Sequence, residues 1–206
     1  GMPCANFSAV NAGVDAFVHD PSLMGLCMKA GTTVIQVMGA QNMSNRYYVV
    51  HARRNDRFLK ASALLKSIYR EVDFSEFSFT RHMLTTLKAV SPQRFAAIEI
   101  ELRSAWVSRM ELMLRQINGR CILLWLREPQ PEVCVPVCLG QEPLFLDATL
   151  VGRLAGLVDH IVEVDIADER GKLDGMIYNS MEAAAAREMI GPSAHRKIAD
   201  KLLSVL

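Results

Sequence analysis

No apolar run in the sequence approaches the ~20 residues that a bilayer-spanning helix needs; the longest, Cys121 to Leu126, is the size of a strand. The start, Gly1-Met2-Pro3-Cys4-Ala5-Asn6, lacks the basic stretch and apolar core of a secretory signal. A membrane partner is therefore not expected, and a cytoplasmic location is. Gly1 before Met2 reads as a residue left by tag removal. Charge of one sign is also lacking: 23 Lys and Arg against 22 Asp and Glu leave a net +1. That balance supplies no global field for nucleic acid or a lipid surface. Cysteine is sparse, five scattered residues, an odd number that reads as reduced thiols rather than a disulfide framework. Cys134 and Cys138 lie close in sequence, but zinc takes four ligands and no further Cys or His stands nearby. No metal and no cofactor are expected. Repeats, low-complexity tracts and interdomain linkers are absent too. What remains is 206 residues, half of them hydrophobic and 22% charged, the balance of one soluble domain, 1–206, with a proper core.

The stretch Thr32 to Phe58, TTVIQVMGAQNMSNRYYVVHARRNDRF, organises the rest. Its apolar run Val34 to Met38 is a strand buried on both faces. The run breaks at Gly39 into a loop of amides, Gln41, Asn42, Ser44 and Asn45. The most basic segment follows, with Arg46, His51, Arg53, Arg54 and Arg57 around Asp56. Open α/β sheets bind ligands outside the carboxyl ends of their strands, which is where this loop falls. Upstream, Phe7 to Val10 reads as a strand leaving through Asn11-Ala12-Gly13. Asp20-Pro21 starts a helix to about Ala30, with Asp as N-cap and Pro at the first helical position. Together these predict a βαβ unit with parallel strands.

Downstream, the pattern predicts a helix over Asn55–Tyr69 and another capped by Asp73 or Ser75. The longest helix runs from Ser91-Pro92 to near Ile117, with Phe95, Ile98, Leu102, Trp106, Met110 and Met113 on one face. Arg120–Arg127 is the clearest strand, followed by a proline-rich loop from Glu128 to Pro143. Asp147 caps a helix, His160–Ile166 is a strand, and helices over Met181–Met189 and from Gly191-Pro192-Ser193 close the chain. The sum is about four parallel-type strands alternating with helices. We expect a three-layer α/β/α sandwich with a mostly parallel, flavodoxin-like sheet and a helical insert over about residues 55–118.

These blocks resemble the SGNH (GDSL-type) hydrolases. Val10-Asn11-Ala12-Gly13 is similar to that family's second block, whose Gly donates a backbone N–H to the oxyanion hole. Val37-Met38-Gly39-Ala40-Gln41-Asn42 is similar to the third, whose Asn donates a side-chain N–H. Ala194-His195-Arg196-Lys197-Ile198-Ala199 resembles the fifth. A closer resemblance, around SNRYYVVHARRNDRF and VDFSEFSFTRHML, is to an uncharacterised bacterial family of the same fold. Two features depart from the hydrolase pattern. The first block, a strand ending in Gly-Asp-Ser with the nucleophile, should precede Asn11, where only ten residues stand. Met189 occupies the place of the catalytic His.

Without an activated Ser and its His, acyl transfer has no nucleophile. The resemblance therefore implies a hydrolase-like domain that is silent as a catalyst, with Gly13, Gly39 and Asn42 left as amide donors. Ser44 and His195 are the weak catalytic candidates, Ser44 more simply bonding its own backbone. The arginines have the better claim, since Arg forks match carboxylate, sulfate or phosphate. The reading is a small anionic or carbohydrate-derived ligand bound by Asn42, Asn45, Arg46, His51, Arg53, Arg54 and Arg57; the plainer alternative is a solvated helix start in which Asp56 and Glu71 pair some of these arginines. The alternatives are an esterase or acyl-transfer enzyme whose true N-terminus is missing, and a scaffold that homodimerises through exposed Met and Phe of its helical insert.

Overall fold

A computed structural model of the chain describes residues 3–128 and 137–206. The first helix, α1 (Val14–Val18), leads directly into α2 (Pro21–Cys27), whose Asp20 N-cap accepts from the Ser22 and Leu23 N–H groups at 3.0 Å. After β1 (Thr32–Gln36) come two short strands, β2 (Tyr48–Val50) and β3 (Phe58–Ala61), then α3 (Ala63–Ile68). Helices α4 (Thr80–Val90) and α5 (Pro92–Leu114) precede β4 (Arg120–Arg127). Beyond it lie α6 (Ala148–Gly152), β5 (His160–Asp165), α7 (Ala183–Arg187) and α8 (Pro192–Leu203).

The main sheet has the order β1-β4-β5 with every pair parallel, Thr32 facing Arg120 and Leu123 facing Ile161. Strand β4 is central and its alternation sorts the core. Cys121, Leu123 and Trp125 enter the larger cluster with α1, α4, α5 and the β2–β3 hairpin. Ile122, Leu124 and Leu126 join Val162, Val164 and Ile166 on the other face, where Ile198 and Leu202 of α8 pack. A parallel strand covered on both faces needs the continuous apolar run that RCILLWLR supplies. The fold is mixed α/β on a small parallel sheet.

Three strands stand in that sheet where the sequence suggested four. Phe7–Val10 is not a strand: Phe7 and Val10 are 49% and 88% exposed, and the chain turns at Asn11 with φ 57. A lone apolar run with no neighbour to pair and no face to bury gains nothing from extending. The βαβ unit read there is accordingly not formed.

The helix expected over Asn55–Tyr69 is also corrected, and with it the purely helical insert of residues 55–118. Its first half is β3, antiparallel to β2, and only Ala63–Ile68 is helical, capped by Ser62. Leu59 and Leu64 are exposed, while Phe58, Ala61 and Leu65 are buried. Asp73 caps a single 3-10 turn rather than a helix.

Helix α5 matches its pattern closely. Ser91 caps it, and Phe95, Ile98, Leu102, Trp106, Met110 and Met113 are all buried. Met83 on α4 is buried as well, as its inward-facing place on the helix suggests. The proline-rich stretch 129–136, with Cys134, lies outside the described residues.

Candidate functional site

The amide loop after β1 is held from three sides. The Trp106 indole N–H donates to the Met38 carbonyl at 2.8 Å, and the Ala40 N–H to Leu144 O at 3.1 Å. The fully buried Tyr48 hydroxyl donates to Gln41 O at 2.7 Å, and burial raises its phenol pKa far above the usual range, keeping it a donor. Asn45 starts β2 by accepting from the Tyr47 and Tyr48 N–H groups at 2.9 and 3.3 Å. Its role is a turn, as short amide side chains favour.

Gly13 and Asn42 touch. A Cβ on Gly13 would run into the Asn42 backbone carbonyl, so only glycine fits this approach. Both prospective oxyanion donors are nonetheless engaged. The Gly13 N–H donates to Asn55 Oδ1 at 2.8 Å, and Asn42 Nδ2 donates to Asn11 O at 3.3 Å while its Oδ1 accepts from the Thr80 hydroxyl at 2.8 Å. Gly39 is another close approach, against the Gln41 side chain and the Leu144 N–H.

Ser44 is equally tied. Its N–H donates to Asp15 Oδ2 at 2.8 Å and its Oγ accepts from the Val50 N–H at 3.2 Å. Arg109 braces the same place: its guanidinium lies 3.3 Å from the buried Asp15 carboxylate and 2.8 Å from His19 Nε2, which must accept. No histidine is bonded to Ser44 among the described residues. His195 is exposed on α8, its N–H donating to Gly191 O as part of the helix start. The structure does not bring Ser44 and His195 into contact.

The basic residues divide between two places. Arg46 pairs with Glu101 at 2.9 Å and stacks on Tyr47, lining an open groove of about 570 Å³ with Asn45, Ser108 and Arg109. His51, Arg54 and Arg57 line a separate hollow of about 350 Å³, with Phe58, Leu59, Phe77 and Ser78. Arg53 is exposed beside it and lines neither.

The hollow sits on the β2–β3 hairpin loop. The His51 N–H donates to Arg57 O at 2.9 Å and the Arg57 N–H to Arg54 O at 2.8 Å, while His51 Nδ1 accepts from the Arg53 and Arg54 N–H groups. Arg57 stacks on Phe79 at 4.4 Å and has no carboxylate partner among the described residues. Asp56 does reach Arg54, at 3.4 Å, whereas Glu71 pairs with Arg94 and not with this cluster.

The residue that fixes this loop, Asn55, was not among the sequence candidates. It is fully buried, its Oδ1 capping the start of α1 through the Gly13 and Ala16 N–H groups, its Nδ2 donating to His51 O and Ala52 O. Asp15, Thr80 and Arg109 were missed for the same reason, their partners being distant in sequence. No group of three or more His, Cys, Asp and Glu side chains among the described residues could hold a metal ion. No helix among them is long and apolar enough to cross a membrane.

These features define a mixed α/β protein whose basic hollow is carried on a braced hairpin loop. The model of the family described as Domain of unknown function (DUF6473) matches residues 1–206, and the chain belongs to that family. No curated protein and no solved structure matches it.

Proposed function

We propose that this chain binds a small anion in the hollow of His51, Arg54 and Arg57. One observation carries the reading: of the three nitrogen-rich side chains that line the hollow only Arg54 reaches a carboxylate among the described residues, Asp56 at 3.4 Å, and no carboxylate lines the hollow itself. The other groove has its arginines offset by Glu101. Arg57 is held by an aromatic face rather than an acid, which leaves its N–H fork available for a planar or tetrahedral anion. Phe58, Leu59 and Phe77 add apolar wall, so the ligand class is a carboxylate or phosphate ester with an organic part.

The contact of Gly13 with Asn42 supports an SGNH-like rim on a reduced three-layer sandwich, as the resemblance implies. The same atoms favour binding over turnover, because the Gly13 N–H and Asn42 Nδ2 already donate to Asn55 Oδ1 and Asn11 O, and no histidine among the described residues is bonded to Ser44.

A thermal-shift series with phosphate, sulfate and carboxylates tests the proposal. A ligand at about 100 times its Kd adds about 2.7 kcal/mol, or roughly 5–10 °C for a domain of this size. Arg54→Ala should abolish the shift and Arg57→Lys should reduce it. Equal shifts in wild type and both variants, or none with any anion, would overturn the reading.

A further inference from the structure

The backbone of β1 has a second edge. Two bonds fix its parity: the Arg120 N–H donates to Gly31 O at 3.0 Å, and the Val37 N–H to Leu124 O at 2.8 Å. In a parallel ladder, alternate residues face the same neighbour. Residues 31, 33, 35 and 37 therefore bond to β4, and the N–H and C=O groups of Thr32, Val34 and Gln36 point away from it. Among the described residues none of these outward groups has a protein partner. All three residues are exposed, Val34 by 41%, on the face where α8 covers the neighbouring β4.

Such an edge is a template for another strand, and edges are usually blunted with charge or proline. The sequence TTVIQ has neither. The opposite edge of the sheet is blunted: β5 carries His160, Glu163 and Asp165, all exposed.

We propose that the β1 edge pairs with the β1 edge of a second copy of this chain, antiparallel about a two-fold axis through Val34. The register is self-complementary. Val34 faces its own counterpart and exchanges both N–H···O bonds with it, while Thr32 and Gln36 of each copy exchange theirs with Gln36 and Thr32 of the other. Every outward group is then satisfied and the interface closes on itself, as isologous dimers do. No like charges meet across the axis, since the strand has none. The two sheets become one continuous sheet, β5-β4-β1-β1-β4-β5.

Val34→Cys reads the register directly. Across an antiparallel hydrogen-bonded pair the Cα atoms lie about 5.5 Å apart, inside the roughly 4.4–6.8 Å span of a disulfide. Mild oxidation of that variant should give a dimer cross-linked through position 34 of both copies, identified by peptide mass against the wild-type thiol background, and Gln36→Cys should not cross-link. By light scattering, the wild-type mass should rise from monomer to dimer with concentration. Val34→Lys, which sets two charges on the axis, and Val34→Pro, which deletes only an outward N–H, should stay monomeric with unchanged circular dichroism. A wild type that is monomeric at every concentration would leave the edge to a foreign strand and overturn the proposal. So would a dimer that survives Val34→Lys and Val34→Pro, or equal cross-linking at positions 34 and 36.

Discussion

Asn55 takes the Gly13 N–H at 2.8 Å across a sequence separation of 42 residues, and no water is needed to complete either group. With its four hydrogen bonds, this one side chain joins the basic hairpin loop to the start of the first helix. Asn55→Ala would leave buried donors and acceptors without partners, at about 1–3 kcal/mol for each group that water cannot reach. We expect a loss of about 3 kcal/mol, measured as the urea midpoint at constant m-value. Asn55→Asp keeps the acceptor but turns a carboxylate oxygen towards the His51 and Ala52 carbonyls, and should be milder at low pH than at neutral pH.

Glycines of this chain should respond oppositely to alanine. At Gly13 the new methyl meets the Asn42 carbonyl, so Gly13→Ala should cost about 1–3 kcal/mol, as overpacking does. At Gly25, inside α2, a Cβ meets nothing within 4 Å, and Gly25→Ala should stabilise by roughly 0.5–1 kcal/mol. Paired thermal melts check both signs.

Tyr48→Phe preserves the ring in the core and removes only the bond to the Gln41 carbonyl. The expected cost is about 1–2 kcal/mol. A change below the error of chemical denaturation would mean that Gln41 O finds water instead.

Acid should weaken the fold partly through Asp147. The hydrogen bond from Arg103, and next that from the Leu150 N–H, hold its carboxyl below the usual carboxylate range. A depressed folded-state pKa contributes stability that is present above the unfolded-state value and lost as pH falls through the folded one. The urea midpoint should therefore drop between about pH 5 and about pH 2. Arg103→Met should shrink that drop relative to wild type.

Much of the scaffold was legible because local chemistry and burial agree there. RCILLWLR can only be a strand buried on both faces, and Ser91-Pro92 with apolar residues at three- and four-residue steps can only open a long amphipathic helix. Gly13 and Asn42 do meet, but not at the ends of two neighbouring strands as their motifs suggest: Gly13 caps the start of α1, and no strand leads into it. The hairpin was not legible. Phe58 to Ile68 has apolar residues at helical spacing, but pairing with Tyr48–Val50 and burial of Phe58 outweigh that local preference. The same pairing explains why the basic cluster splits. Strand β2, extended at about 3.3 Å per residue, carries Arg46 away from Arg54 and Arg57, which the loop then folds together. Asn55 was invisible because nothing in a run of Arg-Arg-Asn-Asp marks which polar side chain is turned inward.

The double duty of the Asn55 amide makes a remote backbone position into a reporter. Opening the basic loop by withdrawing Asn55 releases the Gly13 N–H, so its solvent exchange is governed by the same event. An anion that closes the loop would slow proton exchange at a residue it never touches.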